Sequence, residues 1–302
     1  MSRLVDSADA FLEAFAALPA RHPATARAAF LVSPADFSLA AESASDNRYM
    51  DLGLAVDPAR ALHEHAVLAR RLAEDVPVAT FPGDPAAPDG LFPNNVFATV
   101  PGRLLVGRMR HAVRQREAAR TDIRAWFDLL GYRPHELPAG CVAELTGSLV
   151  IDRARKVGYC GLSERCDRAG AQAMHEAFGL ELTWCFDLAA GEYHTNVVLA
   201  VLAGRAALVA ADGFADARVP AAIAQAHAGA TVLLDRAQKE AFAANAIALA
   251  PERVWMSTRA AASLRVDQAD VLAAAGFRIG AVELGEIEKA GGSLRCCVAE
   301  IF

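Results

Sequence analysis

One order of elements returns along this chain: strand, tight turn, strand, helix, strand. Leu91 to Gly107 reads as two strands joined at Pro101-Gly102, and a charged amphipathic helix is expected from Arg114 to Leu130. Val142 to Cys185 repeats the plan, with strands at Glu144 to Asp152 and Lys156 to Leu162, a helix from Asp167 to Phe178 and a strand from Leu180 to Phe186. His194 to Leu234 follows it again, and Ala246 to Phe277 with the tail supplies another copy. A unit that recurs every roughly 40 to 50 residues marks a stacked or radial architecture, because no such unit buries its apolar face alone. The first strand of each unit starts polar and ends apolar, at Asn94-Asn95, Glu144, His194-Thr195-Asn196, Asn245 and Cys296. Set around a common axis, those polar starts meet at one end and build a single site from residues distant in sequence.

The rest of the chain fits this frame. Ala28 to Ser33 reads as a buried strand stopped by Pro34, Asp57 to Glu74 as a helix with Pro58 in its first turn, and Val76 to Phe81 as a strand. Residues 1–25, with Asp6, Asp9 and Glu13 among apolar positions, are expected to form an N-terminal helical extension rather than a secretion signal. No linker rich in Gly, Ser or Pro divides the chain, so residues 1–302 are expected to form a single domain. A net charge of −6 gives no reason to expect nucleic acid or an anionic membrane as partner, and no apolar run is long enough to span a bilayer. A cytoplasmic location is the expectation. The six cysteines lack the paired Cys-x-x-Cys spacing of a zinc site, and are expected to be reduced thiols with no metal bound. The oligomeric state is not legible.

Three residue types point to chemistry. Cys296 follows Gly291-Gly292 and adjoins Arg295, whose positive charge favours the thiolate that alone attacks carbon. Packing as a buried structural thiol is the competing reading. A nucleophilic cysteine needs a proton carrier, usually a histidine held by a carboxylate. His194 opens an apolar stretch, whereas His63, His65, His175 and His227 fall within helices, and Glu144 stands at the equivalent start of another unit.

The motifs Phe92-Pro93-Asn94-Asn95, Glu144 to Ser148, Tyr193 to Val197, Phe242 to Asn245 and Gly291 to Cys296 together resemble those of the pentein, or guanidine-modifying, superfamily. The chain resembles most the citrulline-utilisation hydrolase and arginine deiminase-related branch, and is also similar to dimethylarginine dimethylaminohydrolases. The resemblance runs from about Ser33 to Phe302. It implies an α/β fold, a five-bladed propeller of strand-strand-helix-strand units around a pseudo-fivefold axis. It also implies Cys296 as nucleophile, His194 as proton shuttle and Glu144 as the carboxylate that holds it. No cofactor is required, and the expected partner is a small guanidino or ureido compound such as citrulline, arginine or a methylarginine.

This chain departs from its relatives where deiminases grip the guanidinium with carboxylates. Asn196 stands two residues after His194, and no acid directly follows Asn94-Asn95. Amides at Asn94, Asn95, Asn196 and Asn245 suit a neutral ureido group, or leave the cation to another acid, and Asp89 is the first to consider. Its alternative is a turn residue in a Pro/Gly loop. Arg108 and Arg110 are expected to hold an α-carboxylate, with surface solvation as the alternative for at least one of them, and Arg295 stands beside the thiol. Cys297 becomes the nucleophile only if the motif slips by one residue. Amidinotransfer, with an amine resolving the intermediate, and a noncatalytic pentein-fold binding protein are the alternatives to hydrolysis.

Overall fold

The computed structural model describes residues 2–302; Met1, the first residue of the expected extension, lies outside them. The strands are β1 (Arg3–Val5), β2 (Ala28–Val32), β3 (Val78–Phe81), β4 (Phe97–Val100), β5 (Arg103–Val106), β6 (Arg133–Glu136), β7 (Leu149–Asp152) and β8 (Val157–Leu162). They continue with β9 (Leu182–Asp187), β10 (Leu199–Leu202), β11 (Ala206–Ala210), β12 (Thr231–Leu234), β13 (Ile247–Ala250), β14 (Arg253–Ser257), β15 (Arg278–Val282) and β16 (Ala299–Ile301). Together they form an α/β fold of small separate sheets built on one plan. In β4-β5-β6, β7-β8-β9, β10-β11-β12 and β13-β14-β15 the first strand runs antiparallel to the second and the second parallel to the third. A tight turn suffices for the first pairing, whereas the parallel pairing requires a crossover. The remaining sheet follows the same plan with distant segments, β16 antiparallel to β2 and β2 parallel to β3.

Local sequence sets the crossovers. In the second unit the side chain of Asp167 caps the helix Arg168–Phe178 by accepting the Gly170 N–H, and Gly179 ends it in the left-handed conformation at φ 62°. The helix expected at Arg114 to Leu130 is two helices, Ala112–Ala118 and Thr121–Leu129. The break falls at Arg120, which takes a non-helical ψ of 109° while its guanidinium holds Asp122 in the next turn.

The N-terminal segment is also more than a helix. β1 adds to the edge of β9 in parallel, and the helix Ala8–Ala16, capped by Ser7, lays Phe11 on Trp184 at 4.4 Å between ring centroids. Both aromatic rings are buried, so this segment belongs to the core.

The polar starts of the units lie one step earlier than expected. They sit in or at the head of single-turn helices immediately before the first strands: Pro93–Asn95, Leu145–Ser148, Thr195–Val198 and Leu294–Cys297. Glu144 and His194 are the capping positions of two of these turns. The turns touch one another, Leu145–Ser148 against Pro93–Asn95 and Thr195–Val198, and Pro93–Asn95 against Leu294–Cys297. The first strands behind them also touch, β16 with β4, β7 with β10 and β10 with β13. Among the described residues no helix is long and apolar enough to cross a membrane.

Candidate active site

Glu144 and His194 are fully buried and joined by a 2.8 Å hydrogen bond between Oε2 and Nε2. The other carboxylate oxygen accepts the backbone N–H of Arg110 at 3.3 Å. Arg165 and Arg114 approach Oε2 to 3.5 and 3.9 Å. Burial opposes charge on Glu144, but Arg165, His194 and Arg114 outweigh it and hold the carboxyl well below the usual carboxylate range. Burial lowers His194 to about 4, against the opposing pull of Glu144. At neutral pH the pair is therefore a carboxylate and a neutral imidazole. A carboxylate only accepts, so Nε2 carries the imidazole proton and Nδ1 is left as a proton acceptor. Nδ1 has no protein partner among the described residues.

The Cys296 thiol lies in the turn Leu294–Cys297, with the Asn245 Nδ2 at 3.3 Å and the Asn196 Nδ2 at 3.7 Å. Asn245 also accepts the Cys296 N–H at 3.4 Å and donates to the Asn196 carbonyl at 2.9 Å, which ties the turn to the neighbouring unit. Burial pushes the thiol up, opposed by the Asn245 amide and by the charge of Arg295. Burial raises Cys297 further, and that thiol is buried completely.

A narrow cavity adjoins the thiol, lined among others by Cys296, Asp89, Asn95, Arg114, Arg165 and Tyr193. Its free volume is about 10 Å³, space for a single water. Ser43, Asn47 and Met50, on the segment between β2 and the helix Pro58–Leu72, form part of its wall. Asp89 is buried, accepts the Ser43 hydroxyl on Oδ2, and keeps Oδ1 without a partner. Asn95 Oδ1 and both polar side-chain atoms of Asn94 are likewise buried and unpaired among the described residues.

Several expected residues lie elsewhere. Arg108 donates to the Leu137 carbonyl at 2.6 Å and lines a different surface hollow with Cys141. The Arg110 side chain pairs with Asp46 and Glu164 at the surface, and only its backbone reaches Glu144. Arg295 turns away from the cavity to the Val298 carbonyl and Glu300, at 2.7 and 2.9 Å. Asn196 and Asn245 hold the thiol but do not line the cavity.

The cationic positions belong to Arg114 and Arg165. The first follows Arg110 by one helical turn, where the helix Ala112–Ala118 aims it inward and Glu117 grips it through two bonds of 2.9 and 2.8 Å. The second is buried against the Tyr193 ring and held by Asp46. The i, i+3 spacing of Arg114 and Glu117 was the available signal for the first; Arg165 carried none.

Backbone detail fits this crowding. A Cβ at Gly147 would stand 2.6 Å from Asn95 Oδ1 and 2.8 Å from His194 Cε1, so only glycine lets these side chains meet. Leu145, directly after Glu144, and Phe242, before Asn245, have positive φ of 26° and 60°, a conformation L-residues adopt at a cost.

Comparison with known proteins agrees with this architecture. No curated protein sequence matches the chain. The N-terminal domain of ArgZ, an arginine dihydrolase from the ornithine-ammonia cycle in cyanobacteria, solved with substrate bound, superposes with a TM-score of 0.79 at 21% identity, covering 91% of this chain and 97% of that one. A variant of the same domain covalently bonded to a reaction intermediate matches with a TM-score of 0.79 at 20% identity, over the same 91% and 97%. A dimethylarginine dimethylaminohydrolase variant, captured as an adduct with S-methyl-L-thiocitrulline, gives 0.70 at 20% identity over 91% of this chain and 100% of that one. The family described as N,N dimethylarginine dimethylhydrolase, eukaryotic, matches residues 33–302, so the chain belongs to that family, pentein-superfamily hydrolases acting on C–N bonds of amidines, as its motifs implied.

Proposed function

We propose that the protein hydrolyses a C–N bond at the guanidino or ureido carbon of an arginine-derived amino acid, through a covalent bond to Cys296. The observation that carries this reading is the cavity itself. It places a thiol, a carboxylate with a free oxygen and an unpaired amide oxygen beside two arginines. Buried polar atoms without partners cost roughly 1–3 kcal/mol each, and a ligand offering N–H donors relieves that cost. Asp89 and Asn95 accept such donors, while Arg114 and Arg165 face a carboxylate. Asp89 is the carboxylate of this wall with an oxygen to spare, and it supplies the acid that the neighbourhood of Asn196 lacks. This favours a guanidinium over a ureido group.

The steps follow from the protonation states. His194 Nδ1, which makes no hydrogen bond to the thiol in the resting site, takes the thiol proton once substrate is bound, and the Cys296 sulfur bonds to the guanidino carbon. The C–N bond then breaks as the imidazolium passes its proton to the departing nitrogen, leaving an S-alkylthiouronium. Water adds to the same carbon while Nδ1 accepts its proton, and cleavage of the C–S bond returns the thiol and a ureido product. Glu144 fixes the imidazole tautomer and stabilises its charged form. Substrate reaches the thiol only when the Ser43 to Met50 wall moves aside, since the resting cavity is too small for an amino acid. The same reading takes residues 1–302 as one domain and the sheets as blades of a five-bladed propeller, supported by their common plan and by the touching first strands.

Incubation with arginine, methylarginines and citrulline, quenched in acid and followed by intact-protein mass spectrometry, is expected to show a mass increase abolished in Cys296→Ala. Turnover is expected to fall by on the order of 10⁵-fold in that variant. Turnover undiminished in Cys296→Ala, or no adduct and no product from any of these compounds, sinks the proposal.

A further inference from the structure

The opposite ends of the first strands carry a second cavity of about 530 Å³. Its walls come from the turn after β4 (Val100, Pro101), the turn after β7 (Arg153 to Lys156) and Phe302 beyond β16. The Asn94-Asn95 and Glu144 turns stand at the other ends of β4 and β7, four-residue strands that span roughly 13 Å. This is a separate cavity, of a size that holds small ligands.

Its charge is one-sided. Arg27, Arg103, Arg153 and Lys156 line it together with the imidazole of His22, and no carboxylate side chain does. Arg27 donates to the Tyr132 hydroxyl and Arg103 to the Ala177 carbonyl, both neutral acceptors. The Arg153 guanidinium lies over the rings of Phe302 and Phe178, at 4.1 and 5.2 Å from their centroids. None of these four cations has an ion pair among the described residues, in a chain whose net charge is −6. The nearest acid felt by Arg153 is Glu300, and Arg295 already occupies it. Burial and the neighbouring Arg295 accordingly pull the Arg153 guanidinium down to about 10.

Uncompensated cations gathered in a concave wall focus a positive potential that concentrates anions. Guanidinium forks match the oxygens of phosphate and carboxylate groups, and an ammonium adds a point charge. We propose that this cavity binds a small molecule carrying two or more negative charges on phosphate or carboxylate oxygens. It is distinct from the hydrolytic substrate, and its binding does not depend on the reading of the thiol site. The aromatic faces of Phe178 and Phe302 keep Arg153 extended toward the ligand.

Calorimetric titration of the intact protein with pyrophosphate, ATP and citrate tests this and separates phosphate from carboxylate sources. Saturable one-to-one binding of at least one, weakened by added salt, is expected. Arg153→Gln and Lys156→Gln are each expected to weaken it about tenfold, and Arg165→Lys, in the thiol cavity, to leave it unchanged. Lys156 lies in a surface turn, so its variant keeps the test open should Arg153→Gln fold poorly. The proposal is overturned by absence of binding, by binding lost in Arg165→Lys, by affinities indifferent to Lys156→Gln, or by binding confined to long polyanions such as heparin.

Discussion

The two ends of the first strands handle charge in opposite ways. At the thiol end the buried arginines have counter-charges: Arg114 lies with Glu117, Arg165 with Asp46, and both stand near the Glu144 carboxylate. What is left unpaired there is neutral or half-used, the Asn94 and Asn95 amides, His194 Nδ1 and one oxygen of Asp89. At the other end the cations themselves are left over. The first arrangement preorganises direction, because hydrogen-bonding atoms are fixed in place and wait for matching partners. The second supplies long-range attraction with little geometric demand. One is built for chemistry on a particular carbon, the other for collecting charge.

Substitutions probe how far that division holds. Glu144→Gln retains the shape of the carboxylate but can offer its N–H to Nε2 and reverse the imidazole tautomer. A loss of kcat on the order of 10³-fold is expected in steady-state assays, with little change in far-end anion affinity. Acid is the next strongest probe. Burial lowers His65, His194 and His227 to about 4, below the ordinary 6.5. The unfolded chain binds those protons first as pH falls, so stability present above pH 6.5 declines between about 6.5 and 4, by several kcal/mol in sum after the opposing contribution of Glu117, whose carboxyl burial raises to about 7. Chemical denaturation across that window is expected to show the drop, and a flat profile contradicts the buried neutral histidines.

Smaller effects sharpen the assignment of the cavity wall. Asp89→Asn is expected to raise KM for guanidino substrates by about tenfold to a hundredfold while sparing ureido ones, read from parallel saturation curves. Equal losses for both classes would remove Asp89 from guanidinium binding. Arg108→Gln, where the side chain bonds only to a backbone carbonyl outside the cavity, is expected to change kcat/KM by less than about threefold.

The sequence made the repeated plan visible because alternating apolar strands and capped helices such as Arg168–Phe178 are local signals. Glu144, His194 and Cys296 were legible because each stands at a matching place in its unit. Helical turns of three or four residues were not, since a segment shorter than one period has no periodicity to show. The three-residue β1 escaped for the same reason, and its partner β9 lies far along the chain. Arg108 and Arg110 were preferred over Arg114 and Arg165 because a buried arginine is decided by the carboxylates that tertiary contacts bring to it. Asp46 and Glu144 reach these arginines from other segments, and Glu117, on the helix of Arg114, is the one local partner.

The pairing of β16 with β2 joins Ala299 to Phe30, across nearly the whole length of the chain. Loop-closure entropy makes such a pairing costly to form. Cys296 stands on the turn that leads into β16, so closing this register brings the thiol to Asn245 and Asn196. A chain with β16 undocked therefore carries an ordinary cysteine, and the reactivity of Cys296 toward thiol reagents is expected to report whether this register is closed.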